Sequence, residues 1–188
     1  MNHLGTITLA TDRLVLRRLS VDDAQEMYDN WASDPQVTRH LGWLAHPDVD
    51  ESRSVLTDWT SHYLEPDWYA WGVTLTDSGV LIGTINVGEL LEDAELCQIG
   101  YCYGRQWWGQ GLATEALRAV TDFLIGQVGA HKVESVHDPR NPASGRVMTK
   151  AGLRQEGIRR LSDHSSLGIC DSCYHGILAS EWRAAQTD

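Results

Sequence analysis

The 188-residue sequence lacks the segments that would tie it to a membrane or to an export route. No apolar run approaches the roughly 20 residues that a helix needs to cross a bilayer. Residues 1–6 lack the basic-then-apolar pattern of a signal peptide. These two absences predict a cytoplasmic protein that has no membrane partner.

Positive charge is also scarce, because 15 lysines and arginines face 26 aspartates and glutamates, for a formal net charge of −11. Such a surface repels phosphate groups, so a nucleic-acid partner is not expected. It attracts cationic molecules instead, such as free amines, polyamines or basic proteins.

Cysteine is limited to four residues, of which Cys170 and Cys173 form a lone C-x-x-C. A zinc site would need two more soft ligands at suitable spacing. A thioredoxin-like pair would be expected before a helix near the start of its unit, not near the end of the sequence. We therefore predict reduced thiols and no metal.

Internal repeats, low-complexity tracts and linker-like runs are absent. A chain of 188 residues is long enough for one α/β unit with a real core. We therefore predict a single domain over residues 1–188, with a structured core at about residues 10–182.

Apolar periodicity and turn residues predict the order strand, two helices, three strands, helix, strand, helix, two strands. This order implies an α/β protein with a mixed sheet and helices on both faces. The predicted strands are 13–19, 69–76, 80–87, 98–103, 132–137, 153–160 and 172–179, and the predicted helices lie around 24–31 and 55–63 and at 113–124 and 141–151.

A glycine-rich segment follows the strand at 98–103 and opens a helix. Glycines allow close backbone approach, and a helix start offers free N–H groups to an anion, so this pattern is typical of a phosphate-binding loop. A tight turn without a ligand is the alternative. A Walker A loop is excluded because Leu112 follows Gly111, and Thr114 breaks the dinucleotide-binding pattern.

The loop resembles the pyrophosphate loop of the GNAT superfamily of N-acetyltransferases, which reads Q/R-x-x-G-x-G/A. The segment W-G-Q-G-L-A at 108–113 fits with Trp108 in the usual Gln or Arg place, and Q-W-W-G-Q-G at 106–111 fits literally. We prefer the first register because it puts small residues at the helix start. It also resembles the Y-W-G-x-G-x-A-x-E-A of the Rim-type branch.

Further segments resemble that branch in the correct order and extend the resemblance over nearly the whole chain. They are residues 11–17, residues 33–37 with 41–43, residues 138–144, and residues 150–153 with 156–157. Rim-type enzymes acetylate protein N-termini. The resemblance therefore implies a GNAT fold, in which a mixed, mostly antiparallel sheet has splayed strands and helices on both faces, and acetyl-CoA as cofactor.

The resemblance also implies roles for particular residues. The strand backbone at 99–103 would align the acetyl-pantetheine arm and polarise the thioester carbonyl. The implied cofactor-binding residues are Ile99, Tyr101, Cys102, Tyr103, Gln106, Trp108, Gly109, Gln110, Gly111, Leu112, Ala113, Thr114, Asn141 and Ser144.

Two of these residues also have local roles. Asn141 precedes a proline and is a good helix N-cap as well as a candidate pantetheine ligand. Ser144 matches the serine proposed to protonate the departing CoA thiolate, and is otherwise an exposed serine of a first helical turn.

The general base is less clear, because Gln98 stands where Rim-type enzymes often carry a glutamate. An amide cannot accept the amine proton. An α-amine of pKa about 7.8 is partly neutral near pH 7, whereas a lysine amine of pKa about 10.4 is not. The substitution favours an α-amine substrate or a base elsewhere, such as His137, Glu89 or Glu95. A lone histidine is more often structural.

We therefore predict acetyl transfer from acetyl-CoA to a primary amine, by direct attack in a ternary complex, with Ser144, Gln98 and His137 as candidate catalytic positions. No cysteine is placed as a clear acyl carrier. The expected acceptor is a basic protein N-terminus. Alternatives are a small amine (a polyamine, amino acid or aminoglycoside) or a non-catalytic acyl-CoA sensor. A monomer or a homodimer is compatible with the sequence.

Overall fold

The computed structural model describes residues 1–186, which form an eight-stranded sheet in the order β1-β2-β3-β4-β5-β6-β8-β7. Neighbouring strands are antiparallel except for β5 and β6, which are parallel. The predicted mixed, mostly antiparallel sheet is therefore confirmed. The strands are β1 Leu9–Ala10, β2 Leu14–Arg17, β3 Ala70–Leu75, β4 Leu81–Leu91, β5 Leu96–Tyr103, β6 Lys132–His137, β7 Arg154–Ser165 and β8 Gly168–Leu178.

Helices cover both faces of the sheet, as expected. The helices are α1 Ala24–Met27, α2 Pro35–Thr38, α3 Val49–Ser61, α4 Leu112–Phe123, α5 Pro142–Lys150 and α6 Ala179–Ala185. One buried cluster joins α4 and α5 to the sheet, and a second joins α1 and α3 to the other face. Within residues 1–186, no helix is both long and apolar enough to cross a bilayer.

The parallel pair β5 and β6 is connected through α4, because parallel neighbours need a crossover connection. The apolar stripe of α4, which includes Ala116, Leu117 and Val120, is fully buried against the sheet. The glycine-rich loop joins the end of β5 at Tyr103 to the start of α4 at Leu112.

The two parallel strands separate after a short paired stretch. Their register runs from Leu96 opposite Lys132 to Ile99 opposite Ser135 and stops there. The Ser135 hydroxyl donates to the Ile99 carbonyl oxygen at 2.7 Å, which closes the paired stretch. Beyond it, β5 stays paired with β4 and β6 with β8, so the expected splay between strands is confirmed.

Several elements differ from the sequence prediction. Asp34-Pro35 is predicted to end a helix, and in the structure it also begins α2. The Asp34 carboxylate accepts from the Gln36 amide, and Pro35 is the first residue of α2. The two residues of β1 are too short to give a pattern. The hairpin of β7 and β8 extends well beyond the predicted bounds. The sequence does not indicate this length, because the edge strand β7 is exposed along most of its length and lacks apolar alternation. Helix α6 was not predicted.

Gly83 tests the packing of β4 against β5. A Cβ there would collide with the Cys102 carbonyl oxygen and lie 2.7 Å from Cδ1 of Tyr103. Gly83→Ala should lower the free energy of unfolding by about 2–4 kcal/mol in chemical denaturation, because backbone cannot move aside. Gly157→Ala is the matched control, since no atom of residues 1–186 lies within 4 Å of its added Cβ. Equal stability of the two variants would contradict the described register.

Candidate active site

A cleft of about 610 Å³ opens where β5 and β6 separate. Its walls are residues 36–37, 39–41, 100–103, 107–109, 111–114, 135–138, 141, 143–144, 146–147 and 150. A larger hollow of about 910 Å³ lies between residues 7–13 and α4, but Gly111 and Thr114 are the only predicted site residues on it. Most of the predicted residues line the cleft, so the cleft is the candidate site.

The loop before α4 presents a set of free backbone amides. Gly109 and Gly111 have φ angles of 74° and 80°, a left-handed conformation that glycine adopts readily. In the described part of the chain, no hydrogen bond uses the backbone N–H groups of residues 109–114; the first bonded one is Glu115 N–H, on the Gly111 carbonyl. Free amides at the start of a twelve-residue helix make an anion-binding site.

An ion pair between Arg13 and Glu115 supports this loop. Arg13 Nε donates to Glu115 at 2.7 Å, and Arg13 Nη1 donates to the Gln110 carbonyl oxygen at 3.0 Å. Burial alone would raise the pKa of Glu115, but hydrogen bonds from Thr11 and Arg13 lower it. Glu115 is therefore a paired carboxylate, whose charge is compensated by Arg13. Sequence reasoning assigned no role to Arg13 or Glu115, although both lie within the matching motifs.

Three predicted cofactor-binding residues do not line the cleft. Ile99 is only 1% exposed and its carbonyl oxygen is taken by Ser135. Gln110 Nε2 donates to the Gln106 carbonyl oxygen at 2.9 Å, so these two residues brace the loop. Trp108 does line the cleft; it is half exposed, and its indole N–H donates to the Tyr103 carbonyl oxygen at 2.8 Å.

Two hydroxyl groups meet on the wall of the cleft. Tyr101 Oη lies 2.8 Å from Ser144 Oγ and 3.1 Å from the Ser144 carbonyl oxygen. Asn141 caps α5, because its side-chain oxygen accepts from the Ser144 amide at 3.4 Å. Burial raises the pKa of the Tyr101 phenol, so it stays protonated and able to donate. Tyr101 therefore contacts the side chain of Ser144, and Asn141 binds its backbone amide.

The candidate bases are placed very differently. Gln98 Nε2 donates to Glu134 at 3.0 Å, and neither Gln98 nor Glu89 nor Glu95 lines the cleft. His137 does line it. Its Nδ1 lies 2.9 Å from the Asp138 carbonyl oxygen, which can only accept, so Nδ1 carries the proton and Nε2 has the free lone pair.

A second histidine of the cleft was missed by sequence reasoning. His40 lies 3.5 Å from the Asp138 carboxylate, which Arg140 also contacts at 2.7 Å. Burial alone would raise the pKa of Asp138, but hydrogen bonds from Arg140 and His40 bring it to about 2. The carboxylate is thus ionised at any working pH. No sequence signal marked His40, because the contact joins the loop after α2 to the end of β6.

This arrangement defines a class of protein. A mixed sheet that opens beside a helix start, with free amides and a hydroxyl pair on the same cleft, suits a transferase that binds an acyl carrier through its phosphates. The comparisons agree. The sequence profile of the acetyltransferase (GNAT) domain matches residues 13–154, and the chain belongs to this family of N-acetyltransferases.

Relatives and solved structures extend this finding. The chain is 30% identical over 152 residues to the uncharacterized N-acetyltransferase YoaA of Bacillus subtilis, covering 81% of this chain and 85% of that protein. It is 27% identical over 167 residues to the [ribosomal protein uS5]-alanine N-acetyltransferase of Escherichia coli, covering 85% and 84%. A GNAT-family acetyltransferase structure from Bacillus anthracis superposes with a TM-score of 0.82 at 21% identity, covering 93% and 100%.

The loop assignment is tested by placing a negative charge among its amides. Gly109→Glu should weaken CoA binding in calorimetry roughly tenfold or more, because its carboxylate would repel the pyrophosphate. Gly79→Glu is the matched control: Gly79 lies in the turn between β3 and β4, has a φ of 72° against 74°, and neither glycine has an atom within 4 Å of an added Cβ.

Both variants should lose similar stability from the left-handed backbone, about 1–2 kcal/mol. Only Gly109→Glu should lose affinity. Wild-type affinity in a folded Gly109→Glu protein would show that the phosphates bind elsewhere.

Proposed function

We propose that this protein transfers the acetyl group of acetyl-CoA to a protein N-terminal α-amine, by direct attack within a ternary complex. GNAT acetyltransferases use acetyl-CoA as co-substrate. The observation that carries the proposal is the row of free amides at 109–114 beside a cleft that Tyr101 and Ser144 also line. The uS5-alanine specificity named for the Escherichia coli relative supports an α-amine acceptor.

The backbone groups that line the cleft would bind CoA. The amides of residues 109–114 would hold the pyrophosphate, and Arg13 would keep the loop in place through Gln110 and Glu115. The pairing of β5 with β6 ends at Ile99, so the β5 backbone at residues 100–102 would hold the pantetheine amides. When bound, the thioester supplies the acetyl group to be transferred.

Ser144 is proposed to donate its hydroxyl proton to the leaving thiolate. A thiol of pKa about 8.5 is a fair leaving group near neutral pH, so the help needed is modest. Tyr101 positions this serine: while Ser144 donates, its oxygen can accept from the Tyr101 hydroxyl at 2.8 Å. The protonated state of the buried phenol makes that arrangement possible.

The amine proton is proposed to pass to His40. His40 lines the cleft, and its Nδ1 lies 3.5 Å from the Asp138 carboxylate, which would hold the ring in place. His137 is less suited to this role, because its ring packs against α5, where a Cβ at Gly145 would lie only 2.7 Å from Nε2. An α-amine of pKa about 7.8 is roughly a fifth neutral near pH 7.2, so that fraction can attack without first losing a proton to the enzyme.

The hydroxyl pair is tested with single and double variants. Ser144→Ala should lower kcat by about 10–100-fold and change the KM for acetyl-CoA much less, because the proton is needed only as the thiolate leaves. Tyr101→Phe should lower kcat by a smaller factor. If the two hydroxyls act as one unit, the double variant should be no slower than Ser144→Ala in steady-state assays.

Ser61→Ala, at the exposed end of α3, is the control for a serine-to-alanine change. Its kcat and its KM for acetyl-CoA should equal those of the wild type. Wild-type kcat in Ser144→Ala would remove the serine from the mechanism, when single-turnover rates show that chemistry limits turnover.

The acceptor is tested with matched peptides. Peptides with a free N-terminal alanine or serine should outperform the same peptides with a blocked N-terminus and an internal lysine, because a lysine amine is neutral only about once in a thousand molecules at pH 7.2. For the free peptides, log kcat/KM should rise with slope near one and level off at about pH 8.

Thiol release reports turnover for every acceptor. A tenfold preference for blocked lysine peptides or for a polyamine would reject the α-amine acceptor and leave acetyl transfer intact. Absence of turnover with every amine, together with tight CoA binding, would favour a sensor.

A further inference from the structure

Three potential metal ligands meet on the sheet beneath α5: His137, Cys173 and His175. The antiparallel register of β6 and β8 sets His137 opposite Cys173 and Ser135 opposite His175. Residues two apart on a strand share a face, so all three side chains project to the same side. One ligand atom from each residue lies within 4.8 Å of the other two, and the histidine rings are 5.3 Å apart.

The chemical state of these groups suits a cation. His137 Nδ1–H donates to the Asp138 carbonyl oxygen, which leaves Nε2 as the free lone pair, the arrangement common for metal-ligating histidines. His175 is 3% exposed, and its buried Nδ1 has no hydrogen-bond partner among residues 1–186. Buried polar atoms are normally satisfied, and a cation between these side chains would give this nitrogen a partner.

We propose that His137, Cys173 and His175 form a binding site for Zn²⁺ or a similar borderline-soft divalent cation. Two imidazoles and a thiolate are ligands that such ions prefer, and three protein ligands leave the fourth tetrahedral position open. Tetrahedral zinc brings its ligand atoms to about 3.3–3.8 Å from one another, so the side chains need to close by about 1 Å.

Metal binding would change the protonation of the cysteine. When the sulfur–metal bond forms, the Cys173 thiol proton leaves to solvent, and each imidazole binds through a nitrogen lone pair.

The neighbouring cysteine takes no part in the cluster. Cys170 and Cys173 are three residues apart on β8, and an odd separation along a strand puts side chains on opposite faces. Cys170 interacts with Arg140 instead. The C-x-x-C pattern therefore does not act as a unit, and Cys170 provides a matched control for Cys173.

Cobalt binding tests the proposal without any acetyl transfer. Chelator-stripped full-length protein is titrated with Co²⁺, and a thiolate-to-cobalt charge-transfer band is expected in the wild type and in Cys170→Ser but not in Cys173→Ser. Zn²⁺ should displace Co²⁺, and its affinity should fall roughly tenfold or more in Cys173→Ser. Zn²⁺ should also raise the Tm of the wild type and of Cys170→Ser only.

His137→Gln provides a second variant should Cys173→Ser fold poorly, because His137 is only partly buried. It should bind Zn²⁺ roughly tenfold or more weakly while keeping its circular dichroism spectrum. The proposal is overturned by a wild-type protein without the charge-transfer band, or by Zn²⁺ affinity that is the same in the wild type and in the folded site variants. CoA binding is measured in parallel, so failure of the metal site stays separate from failure of the proposed transferase activity.

Discussion

The separation of β5 and β6 is the constraint on which the rest of the site depends. Their pairing ends at Ile99 and Ser135, where the serine hydroxyl takes the last carbonyl oxygen. Past that point each strand keeps its outer neighbour, so the sheet remains whole while its middle opens. Unpaired backbone is costly when buried, and a gap of this kind is stable because it is open to a ligand and to water. The starts of α4 and α5 both meet this opening.

The loop before α4 depends on contacts far away in sequence. Its two left-handed glycines give the amides their direction, but a flexible loop alone would lose that arrangement. Arg13 connects the N-terminal strand to Glu115 in the first turn of α4 and to the Gln110 carbonyl oxygen. This pairing also compensates a carboxylate that would otherwise repel the phosphates. Two motifs that are far apart in the sequence are thus one structural unit.

Sequence reasoning succeeded where the signal is local. The glycine loop, the cap at Asn141 and the strand that becomes β5 follow from residue types at short spacing, and the structure has each of them. Features that depend on a contact between distant elements, or on a strand without apolar alternation, could not be predicted from the sequence. The His40–Asp138 pair and the Tyr101 hydroxyl on Ser144 join residues that no local pattern links. The exposed edge strand β7 lacks the alternation by which strands are recognised.

The glutamine at position 98 has a structural explanation. Its amide donates to Glu134 on the neighbouring strand, and Lys132 contacts the other oxygen of that carboxylate at 3.1 Å. Both oxygens of Glu134 are therefore paired within the sheet. A carboxylate is present near this position but is held in the sheet, outside the cleft. In the proposed site, the Asp138 carboxylate that lines the cleft is paired with Arg140, and this arrangement suits the proposed α-amine acceptor, which is already partly neutral.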